Sequence, residues 1–598
     1  MDEERERQHS ALTAVIERRS LLRGSLLAGA GIATAALIGC GSDDDDEPAG
    51  TPGGNDDEAA AAGIDFPGGR GELVTGEGLP YPYNFPEPNK QPKTGGTMVV
   101  SATWDVQTVD PVVSASGGTV TVPNMTYNRL IGMSRGPDAD VFQPGLEPEL
   151  AKSWERSPDG LTFTFKMTDG VTWQNLPPLN GRPFIAADAA YAMNRYATEG
   201  VHRSYYVNVD SITAVDDTTL KVTMKRPVAD FLWPLGSNKQ TLFPKELVDN
   251  GEISKKAIGT GPMIMTEMTP GSRVTFSKNP DYWERPVLLD GFEFRIQPDH
   301  SARLAAFRSG QVDYAYSVAD TLSDIEKLKD TNPDIQVNMI PSVLGVAFAF
   351  NLANPKFQDE RLRQGISLAI NRDIMIKIVF EDLGRIAATA PWTYVFDSEP
   401  SVEGGELGKW TRYDPAEARK MLDAAGATNL TMANVYYAYT EAANRWTQVL
   451  VDQFRDVGVT MTGGKADYTE FNSQWIGRKL PEVSSYGWAT SGFDADNWFY
   501  NQVHSQSQGN RWNINDSQLD AWAEQQQVEL DPAARKAIWR KMWDREMQMA
   551  YRPPMAVGLT FQVYQPWMRG IRWTGTAPGD NASYYSWGSQ VAHGWLDK

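Results

Sequence analysis

Apolar and polar residues alternate with a period of two in several short segments, which is the pattern of half-buried β-strands. Residues 161–167 (LTFTFKM) show this alternation between Asp-Gly turns at 159–160 and 169–170. Residues 212–215 and 220–224 predict two strands of a hairpin, because Asp216 and Asp217 lie between them. Phe292, Phe294 and Ile296 alternate in the same way and predict another strand, and the apolar run Met98-Val99-Val100, which starts at Thr97, predicts a first buried strand.

Other segments place apolar residues at helical spacing, and we expect helices at 125–130, 187–197 and 301–307. A further helix is predicted within 413–426, where Asp414 can cap the amino end and Pro415 suits the first turn. Glu417 completes a capping box there, and Gly426 ends the helix. Asp531 and the proline after it predict the start of a long helix in the same way. The chain therefore mixes helices and strands throughout, with no internal repeat.

Residues 257–286 combine two short strands with a Pro270-Gly271 turn, and they predict a β-hairpin. Gly-Thr-Gly-Pro precedes the hairpin at 259–262, and Asn-Pro-Asp-Tyr-Trp follows it at 279–283. This order and spacing resembles the signature of the family 5 extracellular solute-binding proteins, which include the oligopeptide- and dipeptide-binding components of ABC importers. Residues 144–175, 181–196 and 350–373 resemble the same family in matching order, so the resemblance covers about residues 97–598.

The resemblance implies an α/β, two-lobed periplasmic-binding-protein-like fold of type II, the peptide-binder type, with an extra subdomain and a two-strand hinge. It implies a binding protein without catalysis, whose partners are a peptide or small-molecule ligand and the permease subunits of an ABC importer. The domains expected are a signal at 1–39, a tether at 40–93, lobe I at 94–128, 255–342 and 558–598, the extra subdomain at 129–254, and lobe II at 343–557.

The first 39 residues have the features of an export signal. Arg18-Arg19 precedes the uncharged stretch 24–39, which is too short and too weakly apolar to span a membrane stably. The twin arginines resemble a Tat signal, and Leu37-Ile38-Gly39-Cys40 resembles a lipobox, whose cysteine is lipidated after cleavage. Because Cys40 is the only cysteine, the sequence excludes an internal disulfide. We expect a lipoprotein on the outer face of the cytoplasmic membrane, in the periplasm or at the cell surface.

The tether at 40–93 is rich in Asp, Gly, Ala and Pro, a composition that buries too little apolar surface to fold. The whole chain of 598 residues carries a formal net charge of −20, which disfavours binding to nucleic acid. With 41% hydrophobic residues, the remainder is long enough to form large cores. We expect a monomer without cofactors.

The candidate ligand site follows from the resemblance and from aromatic content. In the peptide-binding members, a strand that ends in tryptophan lies along the ligand, and an acidic residue three positions later pairs with the ligand's α-amino group. Here the tryptophan is Trp488 and the later residue is Ser491, a neutral group, which places peptide specificity in doubt. The full set of candidate ligand-binding residues is Trp104, Tyr486, Gly487, Trp488, Ala489, Ser491, Asp494 and Trp498. For each ring except Trp488, core packing is the alternative interpretation.

An enzyme remains the competing hypothesis. Residues 132–136 match the Gly-x-Ser-x-Gly pattern of a hydrolase around Ser134, although the Gly-Pro-Asp that follows favours a loop over the required helix. Asp494 and Asp496 could form the acid and base of a glycosidase, but carboxylates so close in a loop more often cap turns. The histidines show no zinc-binding spacing, so no metal is expected. The alternative is a secreted esterase or glycosidase that uses the same cleft.

Overall fold

The computed structural model describes residues 91–598, apart from 115–116, 134–144, 320, 342–345, 388, 438–440, 489–494 and 572–586. Its strands are β1 (Thr97–Ala102), β2 (Ile131–Met133), β3 (Leu146–Pro148), β4 (Ala151–Arg156), β5 (Thr162–Met167), β6 (Val209–Asp216), β7 (Thr219–Met224), β8 (Met263–Thr269), β9 (Arg273–Lys278), β10 (Gly291–Ile296), β11 (Tyr314–Ala315), β12 (Gln336–Pro341), β13 (Val346–Phe350), β14 (Gly384–Ile386), β15 (Thr431–Tyr437), β16 (Thr460–Ala466), β17 (Val483–Trp488), β18 (Ala556–Tyr564), β19 (Met568–Arg569) and β20 (Trp595–Leu596).

The helices are α1 (Gly117–Thr126), α2 (Ala186–Glu199), α3 (Leu232–Leu235), α4 (Lys245–Asp249), α5 (His300–Arg308), α6 (Leu322–Lys329), α7 (Glu360–Leu368), α8 (Arg372–Phe380), α9 (Pro415–Ala424), α10 (Glu441–Asp456), α11 (Tyr468–Trp475), α12 (Ser517–Val528), α13 (Pro532–Met549) and α14 (Trp587–Val591). Short 3₁₀ turns lie at Arg203–Tyr206, Pro355–Phe357 and Trp392–Tyr394, and a π-helical turn lies at Asn497–Asn501. Within the described part of the chain, no helix combines the length and the apolar character needed to cross a membrane.

Three sheets organise the fold. The largest has the strand order β12-β18-β11-β1-β10-β9-β8, with β14 paired to β18. In it, β1 lies parallel to both β10 and β11, so the carboxyl ends of these strands share one edge. A second sheet has the order β13-β17-β15-β16, and a third has the antiparallel order β4-β5-β7-β6. Helices pack against the sheets, so the expected α/β architecture is confirmed.

Three hydrophobic cores lie between these layers. Core I runs from Met98 to Ile296 and includes Tyr314 and apolar residues of the C-terminal segment. Core II runs from Val346 to Val557 and takes in one residue from elsewhere, Met133. The small core III joins apolar residues between Ala306 and Val337 to Leu383, Phe561 and Val563. Core I is continuous through residues 129–254, so the predicted extra subdomain shares its interior with lobe I, whereas lobe II has its own.

Two chain crossings connect lobe I to lobe II, side by side. On the lobe I side, β12 pairs antiparallel with β18, and Pro341 lies opposite Leu559. On the lobe II side, the backbone N–H of Met555 donates to the carbonyl of Val346 at 3.1 Å. The Phe348 N–H likewise donates to the carbonyl of Pro553 at 3.0 Å. The expected two-strand hinge is therefore confirmed, although the exact domain boundaries stay predictions.

The predicted hairpins at 212–224 and 257–286 are confirmed as β6-β7 and β8-β9, and Gly271 has the positive φ of 70° that its turn requires. The side chain of Asp414 accepts a hydrogen bond from the N–H of Glu417, so it caps α9 as expected. Asp531 caps α13 in the same way.

One helix prediction is wrong. We expected a helix at 125–130, but α1 occupies Gly117–Thr126 and ends where that segment begins. The N–H of Tyr127 makes the last helical bond, to the carbonyl of Pro123 at 2.6 Å. The apolar residues that follow, including Leu130, are buried in core I, and their spacing reflects that burial rather than a helix.

Candidate functional site

The Gly-Thr-Gly-Pro segment packs directly on the carboxyl end of α1. The N–H of Gly261 donates to the carbonyl oxygen of Thr126 at 2.8 Å. A Cβ atom on Gly259 would lie 1.9 Å from that oxygen, and one on Gly261 would lie 2.6 Å from it. Since no side chain fits in these gaps, both positions require glycine. The segment therefore joins the hairpin to α1 and is a structural element rather than a ligand contact.

Asn128 links this joint to the predicted extra subdomain. Its Nδ2 donates to Oε1 of Glu149 at 2.8 Å, and its Oδ1 accepts from the hydroxyl of Thr260 at 2.9 Å. Glu149 also pairs with Arg129 at 2.8 Å, and both of these side chains are 2% exposed. A buried ion pair needs such additional hydrogen bonds to offset its lost hydration. These polar groups fix the orientation of the subdomain and are not available to a ligand.

Trp104 lies just beyond β1, at the carboxyl edge of the large sheet. Its ring meets that of Tyr316, which follows the adjacent parallel strand β11, in an edge-on contact with centroids 4.9 Å apart. Both rings are half-buried. In open α/β sheets, ligands bind beyond the carboxyl ends of parallel strands. The pair therefore gives lobe I an aromatic surface at the position expected for a ligand. We did not predict Tyr316, which follows the two-residue strand β11.

Asp105 fixes the chain next to Trp104. Its Oδ1 accepts from the N–H of Val106 at 2.7 Å and from the N–H of Gly271, in the turn of the central hairpin, at 2.8 Å. The hairpin turn thus supports the segment that carries the ring.

Lobe II contributes strand β17. It pairs antiparallel with β13, and Val346 lies opposite Trp488 while Ala347 lies opposite Gly487. A Cβ on Gly487 would lie 2.6 Å from the Cβ of Ala349 and 3.1 Å from the ring of Trp475, so this position needs glycine for packing.

The structure describes the backbone of β17 but not the side chains of Tyr486 and Trp488. Ala489, Ser491 and Asp494 lie outside the described residues. Their contacts with a ligand stay predictions.

A buried polar network holds β17 in place. The N–H of Ser485 donates to Oδ1 of Asn434 at 2.8 Å, and its hydroxyl lies 2.9 Å from that of Thr447 on α10. Nδ2 of Asn434 completes the triangle by donating to the Ser485 hydroxyl at 3.3 Å. Because Ser485 is fully buried, these bonds are shielded from water and make the strand rigid. The backbone that leads to Trp488 is therefore pre-organised.

Trp498 lies in the π-helical turn Asn497–Asn501 and is 1% exposed, within core II. The neighbouring Phe499 stacks on Trp539 with centroids 5.4 Å apart. In this conformation Trp498 presents no face to a ligand, which fits the core-packing interpretation.

Asp496 is occupied by structural contacts. Its carboxylate accepts from Nε2 of Gln526 at 2.6 Å and from Nε2 of Gln527 at 2.9 Å. Burial and the nearby Asp230 carboxylate raise the pKa of Asp496 to about 6, and Arg535 opposes that shift. Within the described ranges, no group of three or more His, Cys, Asp or Glu could hold a metal ion. Ser134 lies outside the described residues.

Comparison with known proteins places these features in a family. Residues 145–510 match the model of the bacterial extracellular solute-binding proteins, family 5 Middle. Heme-binding protein A of Haemophilus influenzae (strain ATCC 51907 / DSM 11121 / KW20 / Rd) is 24% identical over 431 residues, which is 66% of this chain and 75% of the relative. Glutathione-binding protein GsiB of Escherichia coli O1:K1 / APEC is 27% identical over 402 residues, 66% of this chain and 73% of the relative.

The crystal structure of the ABC transporter substrate-binding protein CtaP from Listeria monocytogenes superposes with a TM-score of 0.72 at 22% identity. The match covers 85% of this chain and all of that one, and it confirms the two-lobed fold. Proteins of the matched family bind solutes outside the cytoplasm for transport and are not enzymes. The hydrolase alternative is therefore not supported. This chain belongs to the bacterial extracellular solute-binding proteins of family 5, as a substrate-binding component of an ABC importer.

Proposed function

We propose that the protein is lipid-anchored and captures a peptide-like or other small solute between its lobes for delivery to the permease. The observation that carries this proposal is the pair of adjacent crossings between separate cores, at Val346 and Met555. Two short strands can bend without unfolding either lobe. A solute that touches both lobes favours the closed arrangement by its higher affinity for it.

The proposed cleft has one wall from each lobe. Lobe I contributes the half-buried pair Trp104 and Tyr316 at the carboxyl edge of its sheet. Lobe II contributes the end of β17 and the segment after it, namely Tyr486, Gly487, Trp488, Ala489, Ser491 and Asp494. Aromatic faces with a few polar groups are typical of small-molecule sites.

The solute class follows from Ser491 and from the rings. A serine hydroxyl is a neutral partner, so it does not require a free α-amino group. The aromatic wall favours solutes with apolar or planar parts. The relatives differ in what their names say they bind, heme for one and glutathione for the other. We propose a peptide-like or ring-containing solute whose recognition does not depend on a free amine.

Residues 1–39 are proposed to direct export through the Tat system, after which a lipid on Cys40 holds the monomer at the outer face of the cytoplasmic membrane. Between Cys40 and Lys93 the tether has the composition of a flexible linker. A flexible chain of this length spans on the order of 40 Å. That reach would let the lobes turn toward the permease while the protein stays anchored.

Native mass spectrometry of the protein, purified without denaturation as the Cys40→Ser form, tests the proposal. We expect a co-purified small molecule, and we expect Trp104→Ala to reduce its occupancy. Trp154→Ala, which alters a half-buried ring on β4 away from the proposed cleft, is the control. Small-angle scattering should then give a smaller radius of gyration for the occupied protein than for the dialysed one. An equal radius at full occupancy would contradict the two-lobed clamp.

A further inference from the structure

The extra subdomain touches lobe II far from the hinge. Because core I is continuous through residues 129–254, the subdomain moves with lobe I. Yet Met133 of this subdomain is buried in core II, and Trp233 packs against the same core. A Cβ on Gly160 would lie 2.9 Å from Cδ1 of Leu530, between α12 and α13. Any opening at the hinge that carries lobe I and the subdomain away from lobe II must separate these surfaces.

An ion pair lies in the middle of this contact. The carboxylate of Asp230, in the subdomain, accepts from Nη1 of Arg535 on α13 and from the backbone N–H of Asp496 at 2.9 Å. The side chains of Asp230 and Arg535 are 5% and 8% exposed. A charged pair this well covered is screened little by water or salt.

Backbone and side-chain hydrogen bonds surround the pair. The N–H of Ala229 donates to the carbonyl of Gln527 at 2.9 Å. Nη2 of Arg226 donates to Oε1 of the same Gln527 at 2.8 Å. Two residues of the subdomain segment that follows β7 are thus bonded to the end of α12.

Arg535 has a second carboxylate within its own lobe. Its Nη2 lies 3.6 Å from Oδ1 of Asp496 and donates to Oε1 of Gln526 at 2.8 Å. When the lobes separate, Arg535 keeps Asp496 as its partner, while Asp230 gains water. In the closed state the two carboxylates share Arg535, and Asp496 also accepts from Gln526 and Gln527. Opening therefore leaves neither Arg535 nor Asp230 buried without a partner, which avoids the large cost of an isolated buried charge.

We propose that Asp230, Arg226 and Ala229 on the subdomain, with Gln527 and Arg535 on lobe II, form a latch that keeps a population of molecules closed even without solute. The latch rests on the proposed clamp motion. In addition, it means that a contact outside the cleft contributes to the stability of the closed state. By linkage, a contact that favours the closed state also raises the apparent affinity for a solute that binds that state.

Distances between two spin labels test the latch directly. Cys40→Ser removes the only cysteine, so labels can be placed at Val215→Cys on the subdomain and Ile476→Cys on lobe II, both exposed positions. In solute-free protein we expect a short distance, matching this structure, and a longer one. Asp230→Asn keeps the shape but removes the charge, and it should lower the short-to-long ratio at least about tenfold, the effect of losing a hydrogen bond to a charged group.

Three controls complete the test. Asp169→Asn changes a surface carboxylate of the same subdomain, whose side chain is 79% exposed, and should leave the ratio unchanged. A label pair at Val207→Cys and Val215→Cys, within the subdomain, should give one distance in every variant. Arg226→Gln, which removes a single contact, should act in the same direction more weakly and serves if Asp230→Asn does not fold.

An unchanged ratio in the variants, or the absence of any short distance in the wild type, would overturn the latch. Neither result would affect solute binding as detected by mass spectrometry, so failure of the latch can be told apart from failure of the proposed function.

Discussion

Asn279 and Gly261, at the two ends of the central hairpin, are joined by a hydrogen bond of 2.9 Å from the Asn279 Nδ2 to the Gly261 carbonyl. The backbone N–H of Asn279 also donates to the carbonyl of Pro262 at 2.8 Å. The entry and exit motifs of the hairpin thus close its base, and Gly261 in turn contacts the end of α1.

Gly261→Ala should destabilise the protein strongly. The added Cβ would lie 2.6 Å from the Thr126 carbonyl oxygen, and backbone on both sides cannot move aside cheaply. We expect a loss of about 3 kcal/mol in the free energy of unfolding, the upper part of the usual range for overpacking. Denaturant titration measures it. Gly464→Ala on β16, where a Cβ would meet nothing within 4 Å, is the matched control and should not destabilise.

Arg372→Met should destabilise lobe II. The buried guanidinium donates to the carbonyls of Ser367, Ile370, Thr411 and Pro554. Burial lowers the pKa of Arg372 to about 9, and these bonds replace the lost water. Removing these hydrogen bonds leaves buried carbonyl oxygens unpaired, so we expect the free energy of unfolding to fall by about 3 kcal/mol or more.

Thermal and denaturant unfolding measure the effect of Arg372→Met. Arg361→Met, which removes an exposed arginine paired with its neighbour Asp359, is the control and should cost little. Equal losses in the two variants would contradict a structural role for the buried guanidinium.

In the wild type, ionisation of Asp496 should make the free energy of unfolding depend on pH, and the Asp496→Asn variant should lose that dependence. Since burial raises the pKa of Asp496 to about 6 from an ordinary value of 3.8, the folded state holds an extra proton between these values. The contribution of this site to the free energy of unfolding therefore falls by up to about 3 kcal/mol as the pH rises from 4 to 6, and it stays low above pH 6. The charged groups that face Asp496 are Asp230 and Arg535, with Tyr500 nearby.

The measurement is the difference in unfolding free energy between wild type and Asp496→Asn at several pH values from 4 to 8. Groups such as His202, whose pKa burial lowers to about 4, contribute equally to both proteins and cancel. Parallel curves for the two proteins would show that Asp496 titrates normally.

Ser491→Asp should introduce a preference for free amines. A carboxylate at this position would pair with an α-amino group, so a free-amine peptide should gain on the order of 1 to 3 kcal/mol over its N-acetylated form. Calorimetric titration of one matched peptide pair against wild type and variant measures the change. Ser153→Asp, on the exposed side of β4, controls for added charge. If the wild type already requires the free amine, another acid supplies the contact, and Asp494 is the first to test.

Cys40→Ser should release the protein from membranes without unfolding it, because a lipid on Cys40 would be the anchor. Cell fractionation with an immunoblot measures the distribution. Thr51→Ala, in the same tether, should leave the protein with the membrane fraction. A Cys40→Ser protein that still sediments with membranes would contradict lipidation.

The parts of the fold that were predictable from sequence depend on local chemistry. Asp414 and Asp531 cap helices by accepting hydrogen bonds from N–H groups three residues further along the chain. The Pro270-Gly271 turn likewise depends on those two residues alone. The contacts that could not be predicted join distant segments: Asp230 and Arg535 are 305 positions apart. Neither residue has a neighbour in sequence that signals the pairing.

The candidate site also combines features that local sequence predicts with contacts between distant segments that it does not predict. Trp104 was predictable because it directly follows a clear strand, but its partner Tyr316 follows a strand of only two residues. The burial of Trp498 in core II could not be predicted, since nothing in the neighbouring sequence distinguishes a core ring from a ligand contact. The end of α1 was misplaced because the contact that stops it, from Gly261, lies 135 positions further along the chain.

Lys93, just before β1, pairs with Asp597 at 2.8 Å and donates to the carbonyl of Lys598 at 3.2 Å. Lys598 in turn pairs with Asp313 at 2.9 Å. Both ends of the folded part thus meet at one point on lobe I, and proteins with adjacent ends tolerate circular permutation. A circular permutant that joins these two segments directly and opens new ends in a surface loop should therefore keep the fold of lobe I.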